Sequence, residues 1–221
     1  ELLGLVDSLC VHFQQRLIDV LNIGTKADLV LEPVGELTTF SLPAYGHFQK
    51  GHDLYHGGRI LEGAEELVRA LELDSTFALA ASDAACAFSF AKEHDREKIY
   101  FALAQRQAGD NLRAGMSKGA LIFQGNDAWL SDPSRPAEAQ ARYEMIVRLY
   151  PDDPDGYYYT GMVHTYLMPD HAAGGDRDEE LRKAMAYYEE AALRNPGYFP
   201  IYFDWSDAIR QSEGPEAAAG F

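Results

Sequence analysis

The sequence predicts an all-α solenoid of about five helix pairs, the last incomplete, preceded by one extra helix and a connector. Three observations carry this. Apolar residues recur at helical gaps along most of the chain, without the every-second-residue alternation of a strand. Short runs rich in Gly, Pro, Asp and Ser interrupt the helical pattern: HGG, LDST, EHD, SDPSRP, YPDDPDG, MPDHAAGGDRD, RNPG and SEGP. Finally, one order of residue sizes repeats. Ala139, Tyr143, Ile146 and Pro151 are spaced as Ala184, Tyr188, Ala191 and Pro196 are, and Gly63, Leu67, Ala70 and Ser75 keep the same gaps.

Residues 1–23 read as one amphipathic helix, with Leu2, Leu5, Val6, Leu9, Phe13, Leu17, Val20 and Leu21 on its apolar face. His12 within it reads as a surface or half-buried side chain. Residues 24–43 hold Pro33, Gly35 and Pro43 without a 3.6 period, and read as a connector in which LVLE is a candidate short extended piece. The repeats occupy residues 44–221. One unit runs from Ala44 to Phe77 and the next begins at Ala78, where Phe101 and Ala104 keep the gap but no proline follows. Further units carry Gly125 and Gly161, and a truncated one has Trp205 and Ser206 in its first helix and Ala218 in its second. The turn SDPSRP is slightly long. The insertion at 167–178 adds about 11 residues, either a tolerated decoration or an element touching a partner chain or neighbouring unit.

The recurring sizes have a packing cause. A small residue at Gly63, Ala139 or Ala184 lets the second helix of a pair approach the first, and Gly51, Gly125 or Gly161 offers the matching gap. The large residue four positions on fills the space beside it. Pro151 and Pro196 stop the second helix.

This pattern resembles the tetratricopeptide repeat. ALELDS, YEMIVRLYPDD and YYEEAALRNPG are similar to that family's second-helix ending. The resemblance implies a right-handed superhelix whose first helices line a concave groove that holds a protein or peptide segment. It also places Tyr45, Phe48, His52, Tyr55 and His56 on that concave face as the binding groove. The start, ELLGLVDSLCVHFQQRLIDVL followed by GELTTFSLPAY, resembles the junction between a TolB-like domain and such repeats in bacterial signalling proteins. On that resemblance the chain is the tail of a longer kinase, cyclase or transcription regulator.

Charge narrows the partners. Acids outnumber bases 35 to 19, for a formal charge of −16, so nucleic-acid backbones and anionic membrane surfaces are repelled. No apolar run reaches the ~18 residues of a membrane span. Glu1 rather than Met opens the chain, which suggests a processed protein or a piece of a longer one. Cys10 and Cys86 form no zinc motif or disulfide framework, and Cys86 reads as a packed thiol. A soluble chain in cytoplasm or periplasm fits, and the compartment stays open.

No phosphate loop, GxSxG, HExxH or GxGxxG occurs. His52 and His56 stand one helical turn apart near His47, a spacing that can hold a metal but lacks an obvious third ligand. A groove surface explains them without one. Tyr157, Tyr159 and His164 read as packing residues, the acids of YPDDPD and GGDRDEE as solvated turns, and KEHDREK as a charged helix start. The expectation is a non-catalytic protein-binding scaffold, with no cofactor and no metal. Two alternatives stay open: an accessory subunit of a larger assembly, and a ligand-sensing regulatory module.

Overall fold

The computed structural model describes residues 39–166 and 176–218; the expected helix at 1–23, most of the connector and most of the insertion lie outside these residues. The described chain is all-helical. Its helices are α1 (Leu42–His56), α2 (Ile60–Leu73), α3 (Ala78–Phe90), α4 (His94–Gln107), α5 (Asp110–Ala114) and α6 (Lys118–Ser131). They continue as α7 (Pro136–Leu149), α8 (Pro154–Tyr166), α9 (Arg177–Arg194), α10 (Phe199–Glu213) and α11 (Pro215–Ala218). Apart from α4 and the short α5, consecutive helices fold back and pack on one another, as the alternation of helix and short break predicts.

The breaks are made by local chemistry. Ser41 caps α1, its Oγ accepting from the Ala44 amide at 3.3 Å, and Ser117 caps α6 in the same way through Ala120. Asp74, Asp153 and Asn195 each accept a hydrogen bond from the amide two residues on, closing the turns that lead into α3, α8 and α10. The break between α4 and α6 was absent from the expected series. Gly109 and Gly115 interrupt the helix there and Ser117 restarts it, leaving the short α5 as an extra turn of chain.

The size pattern holds where the helices touch. Gly63, Ala139 and Ala184 are all buried at pair contacts. A Cβ on Gly125 would lie 2.2 Å from the Tyr143 ring, and one on Gly161 would lie 2.6 Å from the Tyr188 ring. The gap and its filler are thus one feature, repeated in successive pairs. Glu66, itself buried, adds a polar clamp between α1 and α2 by accepting from His47, Lys50 and Arg69.

The core forms two clusters. One gathers Phe48, Leu67, Phe77 and Phe88 around α1–α4; the other gathers Leu121, Tyr143, Tyr158, Tyr188 and Ile201 around α6–α10. Phe90 packs against both, with its ring 5.2 Å from Trp129. Helix α3 is buried from Ala78 to Phe88, so its small residues serve neighbours on every side. Cys86 is one of them, a buried thiol. Among the described residues no helix is long and apolar enough to cross a membrane.

Candidate functional site

The first helix of each pair, α1, α3, α6, α8 and α10, contributes to a shared inner surface. At one part of it Tyr45, Gln49 and His52 of α1, Asp83 of α3, Lys118 and Ile122 of α6 and Asp155 of α8 line an open recess of about 360 Å³. Four inner helices meet there.

Its floor is pre-organised. The Nδ1 of His52 lies 2.9 Å from Asp83, and the buried Asn126 lies behind Asp83, donating to Ser82 and accepting from the Tyr143 hydroxyl at 2.7 Å. Burial works against a charged imidazole at His52. The Asp83 hydrogen bond and the charges of Asp83, Asp155 and Asp53 outweigh it and raise its pKa above the ordinary value. On the opposite wall the Lys118 ammonium bridges Asp153 at 2.7 Å and Asp155 at 2.8 Å. Burial opposes its charge, and the two carboxylates more than offset this and hold its pKa up. At the rim Gln49 donates to the Tyr45 hydroxyl at 2.9 Å.

The five residues expected on the groove separate into two groups. Tyr45 and His52 are partly exposed and line the recess. Phe48 borders the same recess but is buried against Phe77, with ring centroids 4.8 Å apart. Tyr55 and His56 are buried, so the expectation of one exposed face covering all five is corrected for Phe48, Tyr55 and His56. The physical reason is that the inner surface closes on itself. His56 Nδ1 lies 3.0 Å from the Tyr158 hydroxyl, and the Tyr159 hydroxyl lies 3.4 Å from its other ring nitrogen. Tyr158 in turn donates to Asp204 of α10 at 2.7 Å. The first helix of the array therefore touches the fourth and, through Tyr158, the fifth inner helix, and aromatic rings fill the space between them.

Tyr158 uses its proton on Asp204, so the proton between it and His56 must come from His56 Nδ1, leaving the other imidazole nitrogen to accept from Tyr159. Burial, aided by the nearby His52, pushes the His56 pKa well down and keeps the ring neutral. Among the described residues no group of three or more His, Cys, Asp or Glu side chains is placed to hold a metal ion. Tyr159 and His164 are buried packing residues, with His164 also paired to Glu180 at 2.7 Å.

Lys118, Asp83 and Asp155 did not stand out in the sequence. Lys118 carried one usable sign: a cation in the first turn of a helix opposes the helix dipole and so asks for a local partner. The acids of YPDDPD supply it, and are thereby more than the solvated turn expected of them. No family model matches this chain, and no curated protein matches it either.

Proposed function

We propose that the chain is a tetratricopeptide-like, right-handed interaction module that binds a short segment of another protein in the recess between α1, α3, α6 and α8, without catalysis. One observation carries this reading. Side chains from four inner helices converge on one open recess, over a floor held by His52, Asp83 and Asn126. A preformed surface of this kind reduces the ordering that binding demands. Tyr45 offers aromatic contact, and His52, Gln49 and Lys118 offer polar direction.

The test is selection from a random peptide library, followed by titration of the selected peptides into the protein and into a Tyr45→Ala/Gln49→Ala variant. Affinity is expected to fall about tenfold or more in the variant, as truncation at an interface hot spot does. The thermal melt should move little, because both side chains are partly or fully exposed. Equal affinity for both proteins would remove the recess from the reading.

A second reading rests on the closed centre. Because His56, Tyr158 and Tyr159 fill the inner surface beside the recess, the groove is bounded rather than continuous. Its volume of about 360 Å³ also suits a small molecule. A regulatory module that senses such a ligand would bind small molecules, and not peptides, in the same titration.

A further inference from the structure

Asp204 on α10 is a buried carboxyl, 6% exposed. Two hydroxyls donate to it, Tyr158 at 2.7 Å and Tyr166 at 2.6 Å. An ionised carboxyl offers about four acceptor positions, so half of its capacity is left. No Lys or Arg among the described residues forms an ion pair with it. His56, which lines the same cleft, hydrogen-bonds Tyr158 rather than Asp204 and is held neutral by burial. Burial also lifts the Asp204 pKa to about 6, and the Tyr166 and Tyr158 hydrogen bonds only partly oppose this. At neutral pH the site therefore holds an anion without a counter-charge, which a low-dielectric interior disfavours.

Beside this carboxyl is a cleft of about 30 Å³. Its walls include the rings of Tyr55, Phe90, Tyr158 and Tyr166, and Met162. Phe203, 49% exposed, stands at the rim and packs toward Gly58, where an added Cβ would lie 3.2 Å from its ring. The cleft thus combines one uncompensated carboxylate with several aromatic rings, and it is open to solvent beside Phe203.

We propose that this cleft binds an ammonium group. Three physical points select that chemistry. Aromatic faces attract cations, most strongly where water is excluded. An anion would meet Asp204 in a chain of formal charge −16, and a neutral guest would leave the carboxylate uncompensated. Size then chooses among cations, because 30 Å³ admits a group about as large as one water. An ammonium fits this space. A guanidinium or a trimethylammonium exceeds it. The guest is either a free small amine or the tip of a lysine side chain from another protein. The cleft lies apart from the recess that carries the proposed function, so each stands or falls on its own measurement.

The experiment compares thermal melts at pH 7.5 and equal ionic strength in sodium chloride, methylammonium chloride and tetramethylammonium chloride, with Nα-acetyl-lysine amide as a fourth solute. At tenfold excess over the dissociation constant, methylammonium should raise the melting midpoint by about 3 °C over sodium. Tetramethylammonium should not. A gain with methylammonium but not the lysine derivative confines the guest to a free small amine; a gain with both shows that the tip of a lysine side chain also enters. Asp204→Asn should abolish the gain. A second measurement needs no variant: ¹⁵N-ammonium added to the unmodified protein should show cross-relaxation to the Tyr158 and Tyr166 ring protons. Equal midpoints in all four solutes together with no cross-relaxation would mean that the cleft holds water only, and would overturn the proposal. So would a gain that survives in the Asp204→Asn protein.

Discussion

Replacing Gly63 by alanine is expected to destabilise the protein by about 1–2 kcal/mol. A Cβ built there lies 2.5 Å from the Tyr55 nitrogen, 2.7 Å from the Gly51 oxygen and 2.8 Å from the Tyr55 Cα. All three are backbone atoms of α1, so no side chain can swing aside, and the two helices must separate. Overpacking of this kind costs about 1–3 kcal/mol, and occasionally more. The gain in helix propensity from Gly to Ala, ~1 kcal/mol, works in the opposite direction and does not cancel it. Gly46 on α1 supplies the control, since a Cβ there meets nothing within 4 Å. Gly46→Ala should therefore be neutral or mildly stabilising. Urea denaturation of the two variants checks both signs, and a Gly63→Ala protein as stable as the parent would show that α1 and α2 are not in close contact.

Asp204→Asn is expected to stabilise the protein at pH 8 by about 2–3 kcal/mol, and to lose that advantage near pH 4. The carboxyl's folded pKa of about 6 lies above its ordinary 3.8. The folded state therefore holds this proton more tightly than the unfolded chain. The resulting stabilisation is complete below about pH 4 and is lost as pH rises through 6. About two units correspond to about 3 kcal/mol. The amide is uncharged at all these values, and it can still accept from one tyrosine and donate to the oxygen of the other. His56 contributes a trend of opposite sign. Its folded pKa is depressed, so the unfolded chain gains a proton that the folded state refuses, and stability falls as pH drops below 6.5. The parent's own pH profile mixes these with the shifts of His52, His164, Glu66 and Glu180. The difference between parent and variant, measured by urea titration from pH 4 to 8, isolates Asp204. A variant less stable than the parent at pH 8 would show that the charged carboxylate is favourable where it sits.

The helix pairs were legible because contact distance dictates residue size. Gly125 facing Tyr143 and Gly161 facing Tyr188 leave a trace in sequence at fixed gaps, and the turns at Asp74, Asp153 and Asn195 do the same. The turn after α4 was missed because Gly109, Gly115 and Ser117 lie outside any recurring order, although each is a recognisable interrupter. The inner surface was legible as a helix face but not in its degree of burial. Whether His56 meets solvent depends on Tyr158, which lies 102 residues from it in sequence. Local periodicity carries no information about so distant a neighbour. Asp204 shows the same limit. Within FDWSDAIR it reads like an ordinary acid on a solvated face, and only the arrival of Tyr158 and Tyr166 makes it a buried one.

The link from His56 through Tyr158 to Asp204 also alters how the array should come apart. Linear repeat arrays touch only their neighbours, so their stability is close to a sum of local terms, and they can fray from either end. Here the last described inner helix is linked to the first through Tyr158 of α8. Loosening α10 takes Asp204 from Tyr158 and so frees the hydroxyl proton whose placement orients the pairing of Tyr158 with His56 on α1. Loss of structure at the two ends should consequently be simultaneous, in one cooperative transition, with amide exchange in α1 and α10 sharing a single opening free energy.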